Sequence, residues 1–459
     1  MHKIYYNMNA YEVILMEIKD ILEINKSKLI NGKDGVIEHF TINTKDIKGK
    51  TMFIPLQGNT DGHNYILDGV KNGISGFLVM PGHDDIVKEA LKINKDLIIV
   101  EVPDCLKALQ DLALKTRKKI DVPVIALTGS FGKTSQREMI YNVLKTQFKV
   151  LSTSGNYNNH IGMPLTLVNY QNEDVILLEL GSNHIGEIAF LRDICRPTIT
   201  LVTNVGTAHI GNFKRIKNTL KEKTSIAKGS KYFFRNLDDN LLKLCKIKGP
   251  EVIDYSVNED DISNIIHGKK NRYTITIAGK KHKVTINSDI DYLINYSICA
   301  FKIGLLLNMD IKNIIKGINE FRCAEGRMDK RMIGKNVLID DCYNASFETM
   351  ISGLNYFHDL SGKNKIVILG DILELGKASK RIHKEIAKYI IKNNLEFSEF
   401  HLVGPEMKVV YNMLNKKGYN VFYYKNVEEV NPDIMKNKSV YLKSSHGTGL
   451  YKLVPKKEN

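Results

Sequence analysis

The stretch "VIALTGSFGKTS", residues 124–135, constrains the fold of this chain more than any other segment. A short apolar run leads into a glycine-rich turn that ends in Lys133 and Thr134, and apolar residues then recur at helical spacing from Met139 to Phe148. A buried strand followed by such a turn and a helix is the repeating unit of parallel α/β sheets. The segment therefore predicts an α/β domain with a parallel sheet.

The turn within this stretch predicts an anion-binding site. Successive backbone N–H groups and the start of the helix face one point, which favours a phosphate. Lys133 would add a charge on the terminal phosphates and Thr134 a hydroxyl for Mg²⁺. The common phosphate-binding loop has the spacing G-x-x-x-x-G-K-[ST], whereas Gly129 and Gly132 lie closer together here. The alternative is an ordinary strand-turn-helix connection whose glycines only form the turn.

Length and composition restrict the class of protein. A chain of 459 residues should form about three domains at ~100–200 residues each. Its 43% hydrophobic and 25% charged residues are typical of a globular protein. No apolar run approaches the ~18 residues that span a bilayer, and the N-terminus lacks the layout of a signal peptide. We therefore expect a cytoplasmic protein without membrane insertion.

Cysteine and charge content exclude further classes. The six cysteines are scattered and form no C-x-x-C pair, which fits reduced thiols and neither a zinc site nor a disulfide framework. The net charge of +15 would suit nucleic acid. However, the lysines are spread along the whole chain and accompany no nucleic-acid-binding signature. We expect no nucleic-acid partner, since a lysine-rich background explains the charge, and anionic small substrates are compatible with it.

Three α/β units follow one another along the chain. Residues 1–108 read as a small N-terminal unit, and residues 109–324 as a central unit that contains the phosphate loop. In residues 325–459 strands and helices alternate again, which predicts a smaller, Rossmann-like C-terminal unit. The charged segment "KTRKKID", residues 115–121, is interpreted as the link between the first two units.

Three polar residues of the central unit lie at or after strand ends, where a doubly wound parallel sheet binds its ligands. Glu179 closes the strand-like "DVILLELG" and could hold Mg²⁺ opposite Thr134. His209 follows "TITLVTNVG", and Lys223 lies in the next predicted helix. Singly they could be a capping carboxylate, a surface histidine and a solvated lysine. Their order after the phosphate loop favours a shared site.

Several sequence blocks in a fixed order resemble the Mur ligase family, and together they span nearly the whole chain. The blocks are "FIPLQGNTDGHNYI" (53–66), "TGSFGKT" (128–134), "SGNYNNHIGMPLTL" (154–167), "ELGSNHIGEI" (179–188), "TNVGTAHIGNF" (203–213), "NLDD" (236–239), "GRM" (326–328), "DDCYNAS" (340–346) and "LGDILELG" (369–376). The shortened phosphate loop is a feature of that family.

The resemblance implies a fold and an activity. Its three domains would bind a UDP-linked substrate, ATP and an incoming amine. ATP would phosphorylate a carboxylate to an acyl phosphate, which the amine then attacks. Within the family the blocks are most similar to members that add D-alanyl-D-alanine to UDP-N-acetylmuramoyl-tripeptide for peptidoglycan synthesis. Mg²⁺, as two ions, would assist, and nothing in the sequence requires more than a monomer.

The resemblance also implies roles for individual residues. The nucleotide phosphates would be held by Gly129, Ser130, Gly132, Lys133, Thr134 and Ser135. Thr134 and Glu179 would hold one Mg²⁺, and His209 would serve a second. Lys223 matches a lysine that family members carry as a carbamate. The remaining matches are Asn236 to an adenine contact, Arg327 and Asp341 to residues that close on the nucleotide, and Asn158, Asn159, His160, Thr44 and Lys45 to the UDP-substrate side.

Four sites in the sequence depart from the family pattern, and the resemblance implies that they belong to the substrate-facing parts. Asn43-Thr44-Lys45 replaces Asp-Ser-Arg, Asp291-Tyr292 replaces His-Asn, Ser346-Phe347 replaces Asn-Pro, and His446 replaces arginine. Lysine lacks the bidentate fork with which arginine binds a diphosphate. A Mur-type ligase for another pair of carboxylate and amine therefore stays an alternative. A phosphate-loop kinase or ATPase is a second alternative, although it would need no third domain.

Overall fold

The computed structural model describes residues 16–24 and 26–455. In the N-terminal part the elements are β1 (Met16–Glu17), α1 (Ile18–Leu22), β2 (Lys28–Asn31), β3 (Val36–Ile37), β4 (His39–Thr41), β5 (Thr51–Phe53), α2 (Ile66–Asn72), β6 (Gly76–Val79), α3 (Asp84–Ile93), β7 (Ile98–Glu101) and α4 (Cys105–Lys119). Strands β4 to β7 pair in parallel, and β2 joins β7 as an antiparallel edge. This small sheet is covered by apolar side chains on both faces.

The central part contains the phosphate loop. Its elements are β8 (Val124–Thr128), α5 (Lys133–Leu144), β9 (Val150–Ser152), α6 (Gly162–Val168), β10 (Val175–Glu179), α7 (Glu187–Cys195), β11 (Ile199–Val202), α8 (Ile210–Phe213), α9 (Ile216–Thr224), β12 (Tyr232–Asn236), α10 (Asn240–Lys243), β13 (Glu251–Tyr255), β14 (Ile262–Ile266), β15 (Asn271–Ile277), β16 (Lys280–Ile286), α11 (Tyr292–Leu306) and α12 (Ile311–Glu320).

The main sheet of this part places the phosphate loop at its centre. The strand order is β13-β12-β11-β8-β10-β9, and every pair is parallel. Strand β8 is fully buried because apolar side chains lie on both of its faces. The chain crosses from one side of β8 to the other between β10 and β11, so the switch point of the sheet lies beside the loop after β8. Ligands of doubly wound sheets bind at such a point.

The C-terminal part forms a second mixed sheet. Its elements are β17 (Asp329–Ile333), β18 (Asn336–Asp341), α13 (Phe347–Asp359), β19 (Lys365–Gly370), α14 (Ser379–Lys392), β20 (Glu399–Val403), α15 (Lys408–Lys416), β21 (Val421–Tyr424) and β22 (Ser439–Lys443). The strand order is β17-β18-β22-β19-β20-β21, with only β17 antiparallel to its neighbour. The expected alternation of strands and helices is therefore present.

Two features differ from the sequence interpretation. The segment expected to link the first two units, "KTRKKID", is instead mostly the end of helix α4, which reaches Lys119. Basic residues in the last turn of a helix interact favourably with its dipole, so the charge that suggested a linker stabilises the helix end. Strands β14 to β16 add a three-stranded antiparallel sheet that the parallel pattern did not predict.

The domain boundaries drawn from the sequence remain proposals. The boundary at residue 108 falls within helix α4, whose first half packs in the N-terminal core while Ala113 packs under the central sheet. The boundary at residue 324 falls between helix α12 and strand β17. Over residues 16–24 and 26–455, no helix combines the length and the apolar character needed to cross a membrane.

Candidate active site

A cavity of about 850 Å³ opens where the central sheet meets the C-terminal part. Its walls come from the phosphate loop, from the ends of β10 and β11, and from the loops after α12 and β18. Of the residues singled out in the sequence, those that line it are Ser130, Gly132, Lys133, Thr134, Ser135, Asn158, Asn159, His160, Glu179, His209, Arg327 and Asp341. Residues from both sides of the interface therefore face one space.

The phosphate loop adopts a backbone that favours glycine. Gly132 has φ +71° and begins helix α5. The Nζ of Lys133 folds back and donates to the carbonyl of Gly129 at 2.8 Å. Burial lowers the pKa of Lys133, and the nearby Arg327 lowers it further, whereas Glu179 opposes the shift. The lysine thus lies partly buried against the loop, and a bound phosphate would offer its ammonium a stronger, charged acceptor.

Glu179 ends strand β10 as a buried carboxylate with both oxygens engaged. The hydroxyl of Thr134 donates to Oε2 at 2.9 Å, and the amide of Asn158 donates to Oε1 at 2.8 Å. Carboxylate and hydroxyl oxygens are the ligands that Mg²⁺ takes in proteins. The donor set of Thr134 and Glu179 therefore fits a magnesium ion beside the phosphate loop.

His209 connects the central part to the C-terminal part. It has φ +57° and precedes the short helix α8. Its Nδ1 lies 2.5 Å from Oε2 of Glu374, which belongs to the loop after β19. The hydrogen bond from His209 lowers the pKa of Glu374. The imidazole thus faces the cavity while a carboxylate from the other side of the interface holds one of its nitrogens.

Lys223 is almost completely buried, with 1% of its surface exposed. Its Nζ donates to the hydroxyl of Ser182 at 2.8 Å, and it lies 5.6 Å from the ring centroid of Phe213. Burial, and after it the charge of Lys133, lowers the pKa of Lys223 to about 7. Ser182 lines the cavity whereas Lys223 lies behind it. Lys223 therefore hydrogen-bonds to Ser182, whereas His209 pairs with Glu374.

The C-terminal wall carries a buried ion pair. Asp341 ends strand β18, and its carboxylate lies 2.7 Å from Nζ of Lys443 at the end of the neighbouring strand β22. The backbone N–H of Met328 and the hydroxyl of Tyr441 also donate to this carboxylate. Lys443 was not predicted, although it lies within the "KSSHGTG" segment that drew attention because of His446. Only the strand register reveals that it faces Asp341.

Sequence comparison agrees with this architecture. Residues 127–308 match the model of the Mur ligase middle domain. A UDP-N-acetylmuramoyl-tripeptide–D-alanyl-D-alanine ligase from Rickettsia prowazekii is 30% identical over 429 residues, which cover 90% of this chain and 93% of the relative. The chain belongs to the Mur ligase family.

Further relatives extend the match to the fold. The ligase of the same name from Bacillus subtilis is 29% identical over 404 residues, which cover 84% of each chain. The crystal structure of MurF from Acinetobacter baumannii superimposes with a TM-score of 0.77 at 23% identity, over 91% of this chain and 93% of that one. The present chain thus has the three-domain architecture of a Mur ligase.

Five of the site residues predicted from the sequence do not line the cavity of this Mur ligase: Thr44, Lys45, Gly129, Lys223 and Asn236. Asn236 ends strand β12 with its amide already bonded, because it donates to Thr203 and accepts from Asn295. Thr44 and Lys45 lie in the N-terminal part, where the carbonyl of Thr44 accepts from Asn72. The adenine contact of Asn236 and the UDP-sugar contacts of Thr44 and Lys45 therefore stay predictions.

Two tyrosines of helix α11 form a wall of the cavity that the sequence did not predict. Tyr292 and Tyr296 both line it, with ring centroids 5.3 Å apart. The hydroxyl of Tyr296 lies so close to Gly132 that a Cβ added there would be 1.8 Å away. The departure from His-Asn at Asp291-Tyr292 drew attention to this segment of the sequence. It does not show that Tyr296 lies against Gly132 of the phosphate loop.

A group of metal-capable side chains lies outside the lining of the cavity. Among the described residues, Asp61, His63 and His83 come within ligand distance of one another. His63 accepts the N–H of Met80 at Nε2, so its Nδ1 carries the proton that it donates to Asp61 at 2.7 Å. Only Nε2 of His83 and one oxygen of Asp61 remain, 3.4 Å apart. Zinc sites use at least three protein ligands, so the group is a hydrogen-bonded turn.

Proposed function

We propose that this Mur ligase adds D-alanyl-D-alanine to UDP-N-acetylmuramoyl-tripeptide and converts ATP to ADP and phosphate. The similar ligases from Rickettsia prowazekii and Bacillus subtilis carry that activity in their names. The observation that supports it most is the single cavity in which the phosphate-loop lysine, Glu179 and the C-terminal Arg327 and Asp341 meet. An enzyme that joins three substrates needs such a place between its domains.

The chemistry explains why these groups are assembled. A carboxylate is a poor electrophile, so the γ-phosphoryl group of ATP is first transferred to it, which gives an acyl phosphate and ADP. The neutral amine then attacks the acyl carbon, phosphate leaves, and the amine loses a proton. Lys133 would neutralise charge on the transferring phosphoryl group. Bound Mg²⁺ would supply further charge and alignment between Thr134 and Glu179.

Closure of the interface protects the intermediate. Water hydrolyses an acyl phosphate, so the cavity must exclude it during the reaction. Arg327, whose guanidinium stacks 3.9 Å above the ring of Tyr343, and Asp341 would close on the nucleotide from the C-terminal side. Asn159 and His160 line the opposite end, where the UDP-substrate would lie.

Magnesium dependence tests the metal assignment. Glu179→Gln keeps the shape of the side chain but removes its charge, and we expect it to raise the Mg²⁺ concentration needed for half-maximal turnover. His209→Ala should do the same if His209 serves a second ion. Exposed His184, which pairs with Glu187, provides the control His184→Ala. An unchanged Mg²⁺ titration for either variant would remove that residue from the metal site.

Lys223 is proposed to carry a carbamate. Because its pKa is lowered to about 7, a substantial fraction of the amine is neutral near neutral pH and can react with CO₂ to give a carbamate and a proton. The modification would turn a buried cation into an anion, which suits a site that holds metal ions. In ¹³CO₂-equilibrated protein, we expect a carbamate carbon signal in the NMR spectrum that Lys223→Ala lacks.

Rescue of variants tests the same assignment by activity. Lys223→Ala should be nearly inactive and partly recovered by a short carboxylate in the buffer, since that anion can occupy the vacated space. Lys223→Arg should not recover, because it keeps the cation and fills the space. Wild-type turnover by Lys223→Ala would show that the lysine is structural.

Turnover with substrates omitted in turn tests the proposed reaction. We expect continued turnover of ATP to ADP only when UDP-N-acetylmuramoyl-tripeptide and D-alanyl-D-alanine are both present, with one amide formed for each ADP. Repeated turnover to ADP without any amine would favour a kinase, whereas a single ADP per enzyme corresponds to the acyl-phosphate step. Inactivity with this pair, together with normal ATP binding, would favour a ligase for other substrates. We propose that the reaction takes place in the cytoplasm, where ATP and UDP-linked substrates occur. We also propose that the enzyme is a monomer.

A further inference from the structure

A glutamate of the C-terminal part forms two hydrogen bonds to the loop that follows strand β11. Glu348 lies in the first turn of helix α13. Its Oε1 accepts the backbone N–H of Thr207 at 2.8 Å, and its Oε2 accepts the hydroxyl of Thr207 at 3.0 Å. Both oxygens of one carboxylate therefore hold one residue of the central part. Hydrogen bonds to an ionised acceptor are stronger than bonds between neutral groups.

The loop that follows strand β11, residues 203–208, also hydrogen-bonds to the phosphate loop, and we call it the clasp loop. The N–H of Ser130 donates to the carbonyl of Asn204 at 3.1 Å, and the N–H of Gly206 donates to the hydroxyl of Ser130 at 2.8 Å. The amide of Asn204 bonds the backbone of Phe131 in both directions. Thr207 thus directly follows Gly206, whose N–H bonds Ser130 of the phosphate loop.

The close approach depends on the absence of a side chain at Gly206. A Cβ there would lie 2.8 Å from the ring of Phe131 and 2.9 Å from the carboxylate of Glu348. The phosphate loop, the clasp loop and helix α13 are therefore in contact at one point. A displacement of Glu348 would reach Ser130 through two hydrogen-bonded steps.

We propose that Glu348 and Thr207 form a latch that couples docking of the C-terminal part to the conformation of the phosphate loop. Glu348 is a positioning residue, because it acts on the nucleotide through Thr207 and Ser130. The proposal deepens the proposed function, since closure is needed for ligation. If docking of the C-terminal part favours the binding-competent loop, then bound nucleotide must favour docking to the same extent.

The test measures nucleotide binding and compaction with ADP and Mg²⁺ alone. Glu348→Ala removes both hydrogen bonds of the latch, whereas Thr207→Val removes the hydroxyl bond and keeps the backbone bond. The double variant combines the two changes. We expect Glu348→Ala to weaken ADP binding by about 5- to 10-fold, within the range of coupling between sites, and Thr207→Val to weaken it less. The double variant should be no weaker than Glu348→Ala, because the latch is already open. X-ray scattering should show a larger radius of gyration for all three.

Two matched controls separate the latch from general damage. Thr207→Ser keeps both donors and should bind ADP as the parent protein does. Glu385→Ala removes an exposed glutamate of helix α14 that pairs with Lys388, and it should have no effect. A Glu348→Ala variant that binds ADP normally would overturn the proposal, as would losses that add fully in the double variant. A lower melting temperature with unchanged ADP affinity and radius would assign Glu348 a structural role only.

The outcome does not depend on which substrates are ligated. ADP binding and scattering require no turnover, so the latch can fail while ligation of D-alanyl-D-alanine is confirmed. It can equally be confirmed if the enzyme proves to ligate another pair. With all substrates present, we expect the latch variants to raise the KM for ATP more than they lower kcat.

Discussion

Lys133 shows how a single side chain is prepared for a charged ligand. In the structure its ammonium bonds the carbonyl of Gly129 within its own loop, and burial lowers its pKa. A neutral carbonyl is a weaker partner for a cation than a phosphate oxygen. The lysine therefore gains by exchanging one for the other when nucleotide binds. The cost of burying it is recovered only in the complex.

Lys133→Ala should abolish ligation and leave the fold intact, because the lysine bonds only its own loop and contributes little to the core. Initial rates of ADP formation and the far-ultraviolet circular dichroism spectrum measure the two effects. Lys145→Ala, at the exposed end of the same helix α5, is the control and should keep normal turnover. Normal turnover by folded Lys133→Ala would remove the phosphate-loop assignment.

Lys223 presents the opposite case, because its burial costs stability. In the unfolded chain a lysine keeps its proton up to a pH of about 10.4, whereas the folded protein holds the pKa of Lys223 at about 7. Between these values the unfolded state binds more protons, so the free energy of unfolding rises with pH. Below pH 7 the full penalty of the buried lysine applies.

Lys223→Met should therefore be more stable than the parent protein at pH 6, and the difference should shrink as the pH rises from 7 to 10. Urea unfolding in CO₂-free buffer measures it, since carbamylation would otherwise change the charge. Lys228→Met, at an exposed position nearby, should show no pH-dependent difference. A difference that stays constant from pH 6 to 10 would mean that Lys223 keeps an ordinary pKa.

Helix α5 and helix α11 meet at the phosphate loop, and their contact fixes the loop's shape. Gly132 begins α5 with φ +71°, and Tyr296 of α11 fills the space where a side chain would be. A non-glycine residue in this left-handed region costs roughly 1–2 kcal/mol. The loop thus depends on glycine for both backbone and space.

Gly132→Ala should weaken ADP binding by about tenfold or more, as expected for the loss of 1–2 kcal/mol. Adding Tyr296→Phe removes the nearest atom, so the double variant should recover part of the affinity. Calorimetric titration with ADP and Mg²⁺ measures both. Gly229 also has a positive φ, of +82°, but nothing lies within 4 Å of an added Cβ, so Gly229→Ala should bind ADP normally. No recovery in the double variant would mean that backbone strain alone acts.

The sequence predicted elements whose signals are local. Strands β8, β10 and β11 are continuous apolar runs, and each ends in the polar residue or turn that marks the site. The antiparallel hairpin of β15 and β16 was missed, although Ala278 and Gly279 both have positive φ in a two-residue turn. Such a turn is a hairpin signal, and apolar residues alternate with threonines over residues 273–277, so the signal was present in the sequence.

The other interactions were not predicted because the partner residues are distant in the sequence. Lys302 interrupts the apolar run of α11, yet it is buried and donates to the carbonyl of Asp254. It also pairs with Glu259. Likewise, Glu348 and Lys443 entered the site only through the docking of the C-terminal part. A local pattern carries no information on which distant carboxylate a lysine will meet.

At the scale of the whole molecule, the central and C-terminal parts meet at the cavity, and specific contacts join them. Besides the latch of Glu348 and Thr207, His209 meets Glu374. The backbone of Gly211 lies directly against Leu375 and Gly376, where a Cβ on Gly211 would come within 2.7 Å of three backbone atoms. Since backbone atoms cannot rotate aside, the seam closes only if position 211 carries no side chain.

A methyl group at Gly211 should therefore act as a wedge. We expect Gly211→Ala to have a larger radius of gyration in X-ray scattering and a lower kcat, while Gly268→Ala, which has open space around it, should match the parent protein. Unchanged scattering for Gly211→Ala would show that the two loops can yield. For inhibitor design, a small compound that holds the seam open would block ligation from outside the nucleotide site.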